Sequence, residues 1–120
     1  TNNLIAMPIE IVVKKNVHGN NILDYYTKKN DLETICSVKD LIIYKKISEL
    51  AKIAFVLLKG RLFGRIDIKM DNKGVPHFIE ANLMPGLQKG YFYRSCSINL
   101  KISYAQMITK IAQNALNYLH

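Results

Sequence analysis

Polar and apolar residues alternate most regularly in two runs, residues 65–70 and 75–82, on either side of Asp71-Asn72-Lys73-Gly74. Alternation of this kind around a cluster of turn-forming residues predicts a β-hairpin. Side chains along a strand point to opposite faces in turn, so every second residue within one strand shares a face. The hairpin is expected to present its charged and amide residues together on one face: Arg65, Asp67, Glu80 and Asn82.

The register of this hairpin depends on the length of its loop. A two-residue loop pairs Arg65 with Glu80 and Asp67 with Phe78, and this register leaves the other face for the core. A three-residue loop would shift every pair by one residue and break the arrangement. In the two-residue register, the residues expected on the core face are Ile66, Ile68, Met70, Val75, His77 and Ile79.

Two interpretations of the polar face are open from the pattern alone. Carboxylate and amide oxygens are ligands that Mg²⁺ accepts, usually together with substrate phosphates, and a neighbouring arginine can bind a phosphoryl group. Alternatively, the face is ordinary solvated surface with one cross-strand ion pair between Arg65 and Glu80. An exposed pair of that kind contributes only about 0–1 kcal/mol.

The remaining patterns predict one more strand and two helices. Residues 7–13 form a short apolar run typical of a strand. Ser37 and Asp40 form a capping-box pattern ahead of a helix that Gly60 would end, and Ser103 and Gln106 form a second such pattern. The positions predicted to be buried on these helices are Leu41, Tyr44, Ile47, Leu50, Ala51, Ala54 and Leu58, then Met107, Ile108, Ile111, Ala112, Ala115, Leu116 and Leu119.

Two segments have no clear period: residues 24–30, and the aromatic run at residues 90–95, which we interpret as irregular. The predicted order is strand, uncertain segment, helix, hairpin, loop, helix. Together these elements predict an α+β fold, an antiparallel sheet with helices packed on one face.

Composition limits the class of protein. The 120 residues carry a net charge of +8, but the basic residues are scattered along the chain. A basic α+β module that binds nucleic acid is therefore an alternative with weak support. No apolar run is long enough to span a membrane. Cys36 and Cys96 lack metal-ligand spacing, and reduced structural cysteines are expected in a cytoplasmic protein.

The hairpin residues also resemble a known family. Gly64-Arg65-Ile66-Asp67, followed by Ile79-Glu80-Ala81-Asn82 and then Pro85-Gly86, is similar to the C-terminal signature of ATP-grasp ligases. The similarity is greatest to D-alanine–D-alanine ligases and their relatives, enzymes of cell-wall biosynthesis, and it extends from about residue 7 to the end of the chain. The chain would then be the C-terminal part of an ATP-grasp domain in a longer protein, since the N-terminal domain and the Gly-rich lobe have no counterpart here.

The resemblance implies roles for individual residues. Asp67, Glu80 and Asn82 would bind two Mg²⁺ ions, with Mn²⁺ as a possible substitute, and Arg65 would contact the phosphoryl group transferred from ATP. Gly86 would help to hold the oxyanion that forms when an amine attacks the acyl-phosphate. Lys28, in the run Asp24-Tyr25-Tyr26-Thr27-Lys28, would contact the nucleotide phosphates, with a solvated surface lysine as the alternative.

One departure concerns the substrate. Family members that join D-alanine usually have a small hydroxyl residue a few positions after Pro-Gly, and Tyr91 stands at about that position here. Tyr91 and Arg94 are candidates for contact with amino-acid-like substrates, with aromatic packing as the alternative. The chain alone is expected to lack ligase activity. A degenerate ATP-grasp domain with a structural role is a third interpretation, and the four polar residues argue against it.

Overall fold

A computed structural model describes residues 4–13 and 33–119 of the chain. These residues form four strands and three helices. In chain order they are β1 (Ile9–Val13), β2 (Glu33–Ser37), α1 (Leu41–Leu57), β3 (Arg65–Met70), β4 (Pro76–Asn82), α2 (Tyr91–Leu100) and α3 (Tyr104–Leu119). The predicted α+β class and the strand at residues 7–13 are confirmed. The uncertain segment at residues 24–30 lies outside the described residues.

The strands form two separate antiparallel sheets of two strands each within the described part of the chain. In the first sheet, β1 pairs with β2, so that Ile9 lies opposite Ser37 and Val13 lies opposite Glu33. The second sheet is the hairpin of β3 and β4. The prediction of antiparallel pairing is correct, but β1 pairs with β2 and does not extend the hairpin.

Helix α1 begins at Leu41 because Asp40 caps it. The Asp40 carboxylate accepts hydrogen bonds from the backbone N–H groups of Ile42 at 2.9 Å and Ile43 at 3.2 Å. The predicted capping role of Ser37 is wrong, since Ser37 is the last residue of β2. At the other end, Lys59 takes a left-handed conformation with φ of 59°.

Helix α1 packs on both strands of the hairpin, β3 and β4. Ala54 and Phe55 are buried, and Gly60 lies directly against the Phe55 ring. The predicted stripe is wrong at its two ends, where Leu41 is 81% exposed and Leu58 is 45% exposed. The two buried residues lie near the C-terminal end of the helix.

Helix α2 occupies the segment that we expected to be irregular. Phe92 and Cys96 are four residues apart, on the same side of the helix, and both are buried against Met107 of α3. The contact between α2 and α3 therefore forms the principal core of the described residues. Burial raises the pKa of the Cys96 thiol.

Helix α3 begins with the predicted capping box. The backbone N–H of Gln106 donates to Ser103 Oγ at 3.1 Å, and the backbone N–H of Ser103 donates to Gln106 Oε1 at 2.8 Å. Met107 is the most deeply buried side chain of this helix, as predicted. The prediction is wrong for four other positions, since Ile108, Ala112, Leu116 and Leu119 are all exposed.

Hydrogen bonds fix α2 relative to the residues around β1. Ser95 Oγ donates to the carbonyl of Met7 at 2.6 Å, and Asn99 Nδ2 donates to the carbonyl of Pro8 at 3.0 Å. Asn99 also accepts from the Tyr44 hydroxyl of α1 at 3.3 Å. These bonds hold the middle and the last turn of α2 beside the residues that lead into β1.

Both cysteines are free, as predicted. Among the described helices, none is both long and apolar enough to cross a membrane.

Candidate functional site

The loop of the β3–β4 hairpin has three residues, and the predicted two-residue loop is wrong. Asp71 and Val75 close it, with the Asp71 N–H donating to the Val75 carbonyl at 3.0 Å. Gly74 has φ of +78° and donates its N–H to the Asp71 carbonyl at 3.1 Å. A turn followed by a left-handed glycine is typical of three-residue hairpin loops.

A β-bulge further along the hairpin offsets this shift. Next to the loop, Ile68 lies opposite Phe78, but the following pair is Asp67 with Glu80, which leaves Ile79 as the extra residue. The predicted pairs of Arg65 with Glu80 and Asp67 with Phe78 are therefore wrong. The bulge nevertheless brings the polar residues of both strands to one face: Arg65 lies opposite Asn82, and Asp67 lies opposite Glu80.

The opposite face is less buried than predicted. Ile66, Ile68 and Met70 are partly buried, whereas Val75 is 45% exposed and Ile79 is 57% exposed. The core prediction is also wrong for His77, whose exposed ring bonds to Asp71 Oδ2 at 2.9 Å. The three-residue loop shifts the pairing by one residue, so His77 lies opposite Lys69 and is not on the face of Ile68 and Met70.

Arg65 lies close to both carboxylates of the polar face, those of Asp67 and Glu80. Its Nε donates to Asp67 Oδ1 at 2.9 Å and its Nη2 donates to Asp67 Oδ2 at 3.2 Å. The two residues therefore form a bidentate salt bridge. The same Nη2 lies 3.9 Å from Glu80 Oε1. The hydrogen bond to Asp67 raises the pKa of the guanidinium, so Arg65 is a permanent cation between two carboxylates.

The polar face offers oxygen donors of the kind that bind hard cations. Asn82 Oδ1 accepts the N–H of Met84 at 2.9 Å, which fixes its orientation, and Glu80 is 65% exposed. The described residues contain no group of three or more His, Cys, Asp and Glu side chains placed to hold a metal ion. The candidate donor set consists of two carboxylates and one amide, and Mg²⁺ accepts such donors alongside substrate phosphates.

A cavity of about 640 Å³ begins at Arg65 and continues along the segment after β4. Gly86, Tyr91 and Arg94 line this cavity together with Arg65, so the structure brings four of the candidate residues to one space. Glu33 and Lys89 also line it. Arg65 thus belongs both to the polar face and to the cavity wall.

Comparisons with known proteins identify the family. The model of the D-ala D-ala ligase C-terminus matches residues 1–113, which is nearly the whole chain. The chain belongs to this family.

Relatives of the family share moderate identity with the chain. It is 29% identical over 75 residues to D-alanine–D-alanine ligase B of Clostridium perfringens, covering 62% of this chain and 25% of that protein. It is 26% identical over 95 residues to the Clostridium beijerinckii ligase, covering 78% and 32%. The match to the Burkholderia thailandensis ligase is 26% over 117 residues, covering 94% and 37%. No solved structure gives a significant match to the chain.

One residue of this D-ala D-ala ligase C-terminal domain was missed by sequence reasoning. The Tyr91 hydroxyl donates to both carboxylate oxygens of Glu33, at 2.6 and 2.8 Å. Burial, and then this hydrogen bond, raises the pKa of Tyr91 to about 12, so the hydroxyl remains a donor at neutral pH. No local pattern could have revealed Glu33, because its partner is 58 residues away.

Lys28 lies outside the residues that the structure describes. Its contact with nucleotide phosphates stays a prediction. Phe78, the aromatic residue expected on the polar face, lies opposite Ile68 and so belongs to the other face. The two strands of the hairpin therefore place no aromatic side chain on the polar face, whereas a platform that stacks bases needs exposed aromatic residues.

Proposed function

We propose that this chain is the C-terminal part of an ATP-dependent ligase that joins a carboxylate to an amine, and that the polar face of β3–β4 is its phosphoryl-transfer site. The observation that carries the proposal is the bulged register, which gathers Arg65, Asp67, Glu80 and Asn82 on one face beside a cavity. Membership of the D-ala D-ala ligase C-terminus family supports the reaction class.

The reaction has two steps in this proposal. A substrate carboxylate oxygen attacks the γ-phosphorus of ATP, and the bond to the bridging oxygen breaks to release ADP. The amine of the second substrate then attacks the acyl-phosphate carbonyl carbon, and phosphate leaves as the amine loses a proton. Both steps need positioning and charge neutralisation more than a side-chain nucleophile.

Arg65 supplies fixed positive charge for the first step. Its guanidinium is oriented by Asp67 and faces the cavity, so one edge can contact phosphoryl oxygens. Gly86 is exposed at the cavity wall, and its backbone N–H is proposed to stabilise the oxyanion of the second step. Tyr91 and Arg94 lie at the same wall and are proposed to face the amine substrate.

Asp67, Glu80 and Asn82 are proposed to hold Mg²⁺, as two ions in the family pattern. Their donors fit the group, since all three offer oxygen atoms on one face and both carboxylates lie within 4 Å of a single guanidinium nitrogen. Bound Mg²⁺ would neutralise the phosphates of ATP. Because Asp67 already pairs with Arg65, the arginine also limits repulsion between the two carboxylates.

The whole enzyme is proposed to include a further, N-terminal part of the same protein. The chain spans 25% to 37% of the length of the curated relatives described above. Large apolar side chains on α1 are exposed, with Leu41 at 81%, Ile42 at 69% and Leu57 at 74%. Burial of such side chains against another part of the protein would be favourable.

The test is a phosphate-release assay on the full-length protein with Mg²⁺ and ATP. D-alanine and a panel of other amino acids serve as substrates, because Tyr91 stands at about the position where relatives that join D-alanine usually have a small hydroxyl residue. Glu80→Gln keeps the shape of the side chain and removes its charge, so we expect activity to fall by about 100-fold or more with the melting temperature unchanged. Glu49→Gln, an exposed change on α1, is the matched control.

Two results would contradict the proposal. One is full activity in the Glu80→Gln variant. The other is turnover of ATP and D-alanine by the 120-residue chain alone, since half of the proposed nucleotide site would lie in another part of the protein. Phosphate release that depends on one amino acid, and on Glu80, would support the ligase assignment.

A further inference from the structure

Tyr91 connects three elements that surround the cavity. It is the first residue of α2, its hydroxyl is bonded to Glu33 of β2, and its ring lies beside Arg65 of β3. Two observations fix the side chain. The hydroxyl donates to both Glu33 oxygens, at 2.6 and 2.8 Å, and the next residue, Phe92, is only 8% exposed in the core. Tyr91 is therefore held at its backbone and at its tip.

The face of this ring is turned toward the Arg65 guanidinium. Arg65 Cζ lies 5.8 Å from the ring centroid, within the range of a cation–π contact. Asp67 holds the same guanidinium by two hydrogen bonds. Arg65 is thus held on one side by a carboxylate of its own strand and on another side by an aromatic ring that Glu33 holds in place.

We propose that Tyr91, anchored by Glu33, is a positioning residue that keeps the Arg65 guanidinium on the phosphoryl-transfer face. The proposal rests on the proposed function, in which Arg65 contacts the transferred phosphoryl group. Tyr91 acts through Arg65 in this role.

The physical reason is that the Asp67 contact alone is not a secure support. In the proposed enzyme the oxygens of Asp67 also serve as cation ligands, so they cannot be reserved for Arg65. A long arginine side chain released by its carboxylate would regain its rotamer freedom. The ring contact uses the face of the guanidinium and leaves its N–H groups available, so Tyr91 can hold Arg65 while those groups bind phosphoryl oxygens.

The test compares two tyrosines of the same helix in the full-length protein. Tyr91→Phe removes the hydroxyl that Glu33 anchors and keeps the ring, whereas Tyr91→Leu also removes the ring. Tyr93→Phe is the matched control, because its ring packs edge-on against Tyr104 and its hydroxyl has no hydrogen bond among the described residues. Glu33→Leu removes both oxygens that accept from the Tyr91 hydroxyl and leaves Tyr91 intact.

The direct measurement is the mobility of the Arg65 side chain. Protein labelled with ¹⁵N at arginine Nε gives one signal per ordered arginine, and Arg65→Lys assigns the signal of interest. We expect the order parameter of Arg65 Nε–H to fall in Tyr91→Phe and in Glu33→Leu, to fall furthest in Tyr91→Leu, and to stay unchanged in Tyr93→Phe. A purely structural role for Tyr91 would lower the melting temperature without selectively loosening Arg65.

The kinetic measurement is the phosphate-release assay with Mg²⁺-ATP and D-alanine. We expect kcat to fall about tenfold in Tyr91→Phe and further in Tyr91→Leu, with KM for ATP within about twofold of the parent value. Unchanged Arg65 mobility in both Tyr91 variants would overturn the proposal.

The two proposals can fail separately. If the parent protein releases no phosphate with any amino acid, the ligase function fails, but the Arg65 signal still decides whether Tyr91 and Glu33 position the guanidinium. If Tyr91→Phe does not fold, as shown by loss of near-ultraviolet circular dichroism, Glu33→Leu decides the question by the same measurement. Increased Arg65 mobility in that variant supports the proposal, and an unchanged signal refutes it.

Discussion

The polar face of the hairpin and the core between α2 and α3 meet at two consecutive residues, Tyr91 and Phe92, yet they are built differently. The core is apolar and buried, with Met107 only 1% exposed. On the polar face, Arg65 and Asp67 are each 34% exposed and Glu80 is 65% exposed. A charged group in such a place contributes little to stability, whereas a buried apolar side chain contributes several kcal/mol.

Different residues on neighbouring elements therefore support the stability of the fold and the proposed chemistry. Substitutions in the core should lower the free energy of unfolding. Substitutions on the polar face should lower activity and leave the free energy of unfolding nearly constant. Functional sites in proteins commonly contain charged groups that do little for folding. The predictions below test this separation from both sides.

The largest effect is expected in the core. Met107→Ala should lower the free energy of unfolding by about 2–5 kcal/mol, because it leaves a cavity between Phe92 and Cys96. Urea unfolding followed by far-ultraviolet circular dichroism measures this loss. Leu119→Ala is the control on the same helix, since Leu119 is 78% exposed and its removal should change stability by about 0.5 kcal/mol or less. Equal losses in the two variants would mean that α2 and α3 do not form the core described here.

The next effect is expected on the polar face. Asp67→Asn should reduce phosphate release by the full-length protein about 100-fold, because it weakens the cation ligand and loosens Arg65. Asp71→Asn makes the same chemical change in the hairpin loop and should leave activity within about twofold of the parent. Stability measured by thermal unfolding should fall by less than about 1 kcal/mol in Asp67→Asn. A large loss of stability there would break the separation between the two regions.

A third effect concerns the packing between α1 and the hairpin. A Cβ atom at Gly60 would overlap the ring of Phe55, which is only 8% exposed, so Gly60→Ala should destabilise the chain by about 1–3 kcal/mol. At Gly74 a Cβ meets no atom within 4 Å, but φ is +78°, so Gly74→Ala should cost about 1 kcal/mol from backbone strain alone. Urea unfolding of both variants distinguishes a packing clash from a strained turn. A smaller loss for Gly60→Ala than for Gly74→Ala would contradict the close packing of α1.

Much of the fold could be predicted because its signals are local. The alternation of polar and apolar residues predicted the hairpin, and the capping-box pattern of Ser103 and Gln106 predicted the start of α3. Helix α2 was missed because only Phe92 and Cys96 mark its buried side, which is too little for a clear helical period. Exposed positions such as Leu119 were assigned to the core because periodicity gives the apolar side of a helix but not what covers it.

The shared face of the four polar hairpin residues was predicted, but their pairing across the two strands was not. The loop is one residue longer than assumed, and that shift alone would have separated Asp67 from Glu80. The extra residue Ile79 shifts the pairing once more and restores the shared face. A single sequence offers no signal for a bulge at Ile79, and none for the bond between Tyr91 and Glu33. Local alternation therefore predicted that Arg65, Asp67, Glu80 and Asn82 share a face, but it did so through the wrong pairs.

The smallest effect is expected in the hairpin loop, far from both regions, and it depends on pH. The hydrogen bond from His77, followed by that from the Val75 N–H, lowers the pKa of Asp71 below its ordinary value. Its carboxylate therefore stabilises the folded state fully above the ordinary aspartate pKa of about 3.9, and this contribution is lost as the pH falls through the lowered pKa. Asp71→Asn should lower the melting temperature slightly at pH 7, and the difference from the parent should shrink as the pH falls below about 4. Thermal unfolding of both proteins between pH 2 and pH 7 measures the difference, and a gap that widens toward low pH would show that the Asp71 carboxylate does not stabilise the loop.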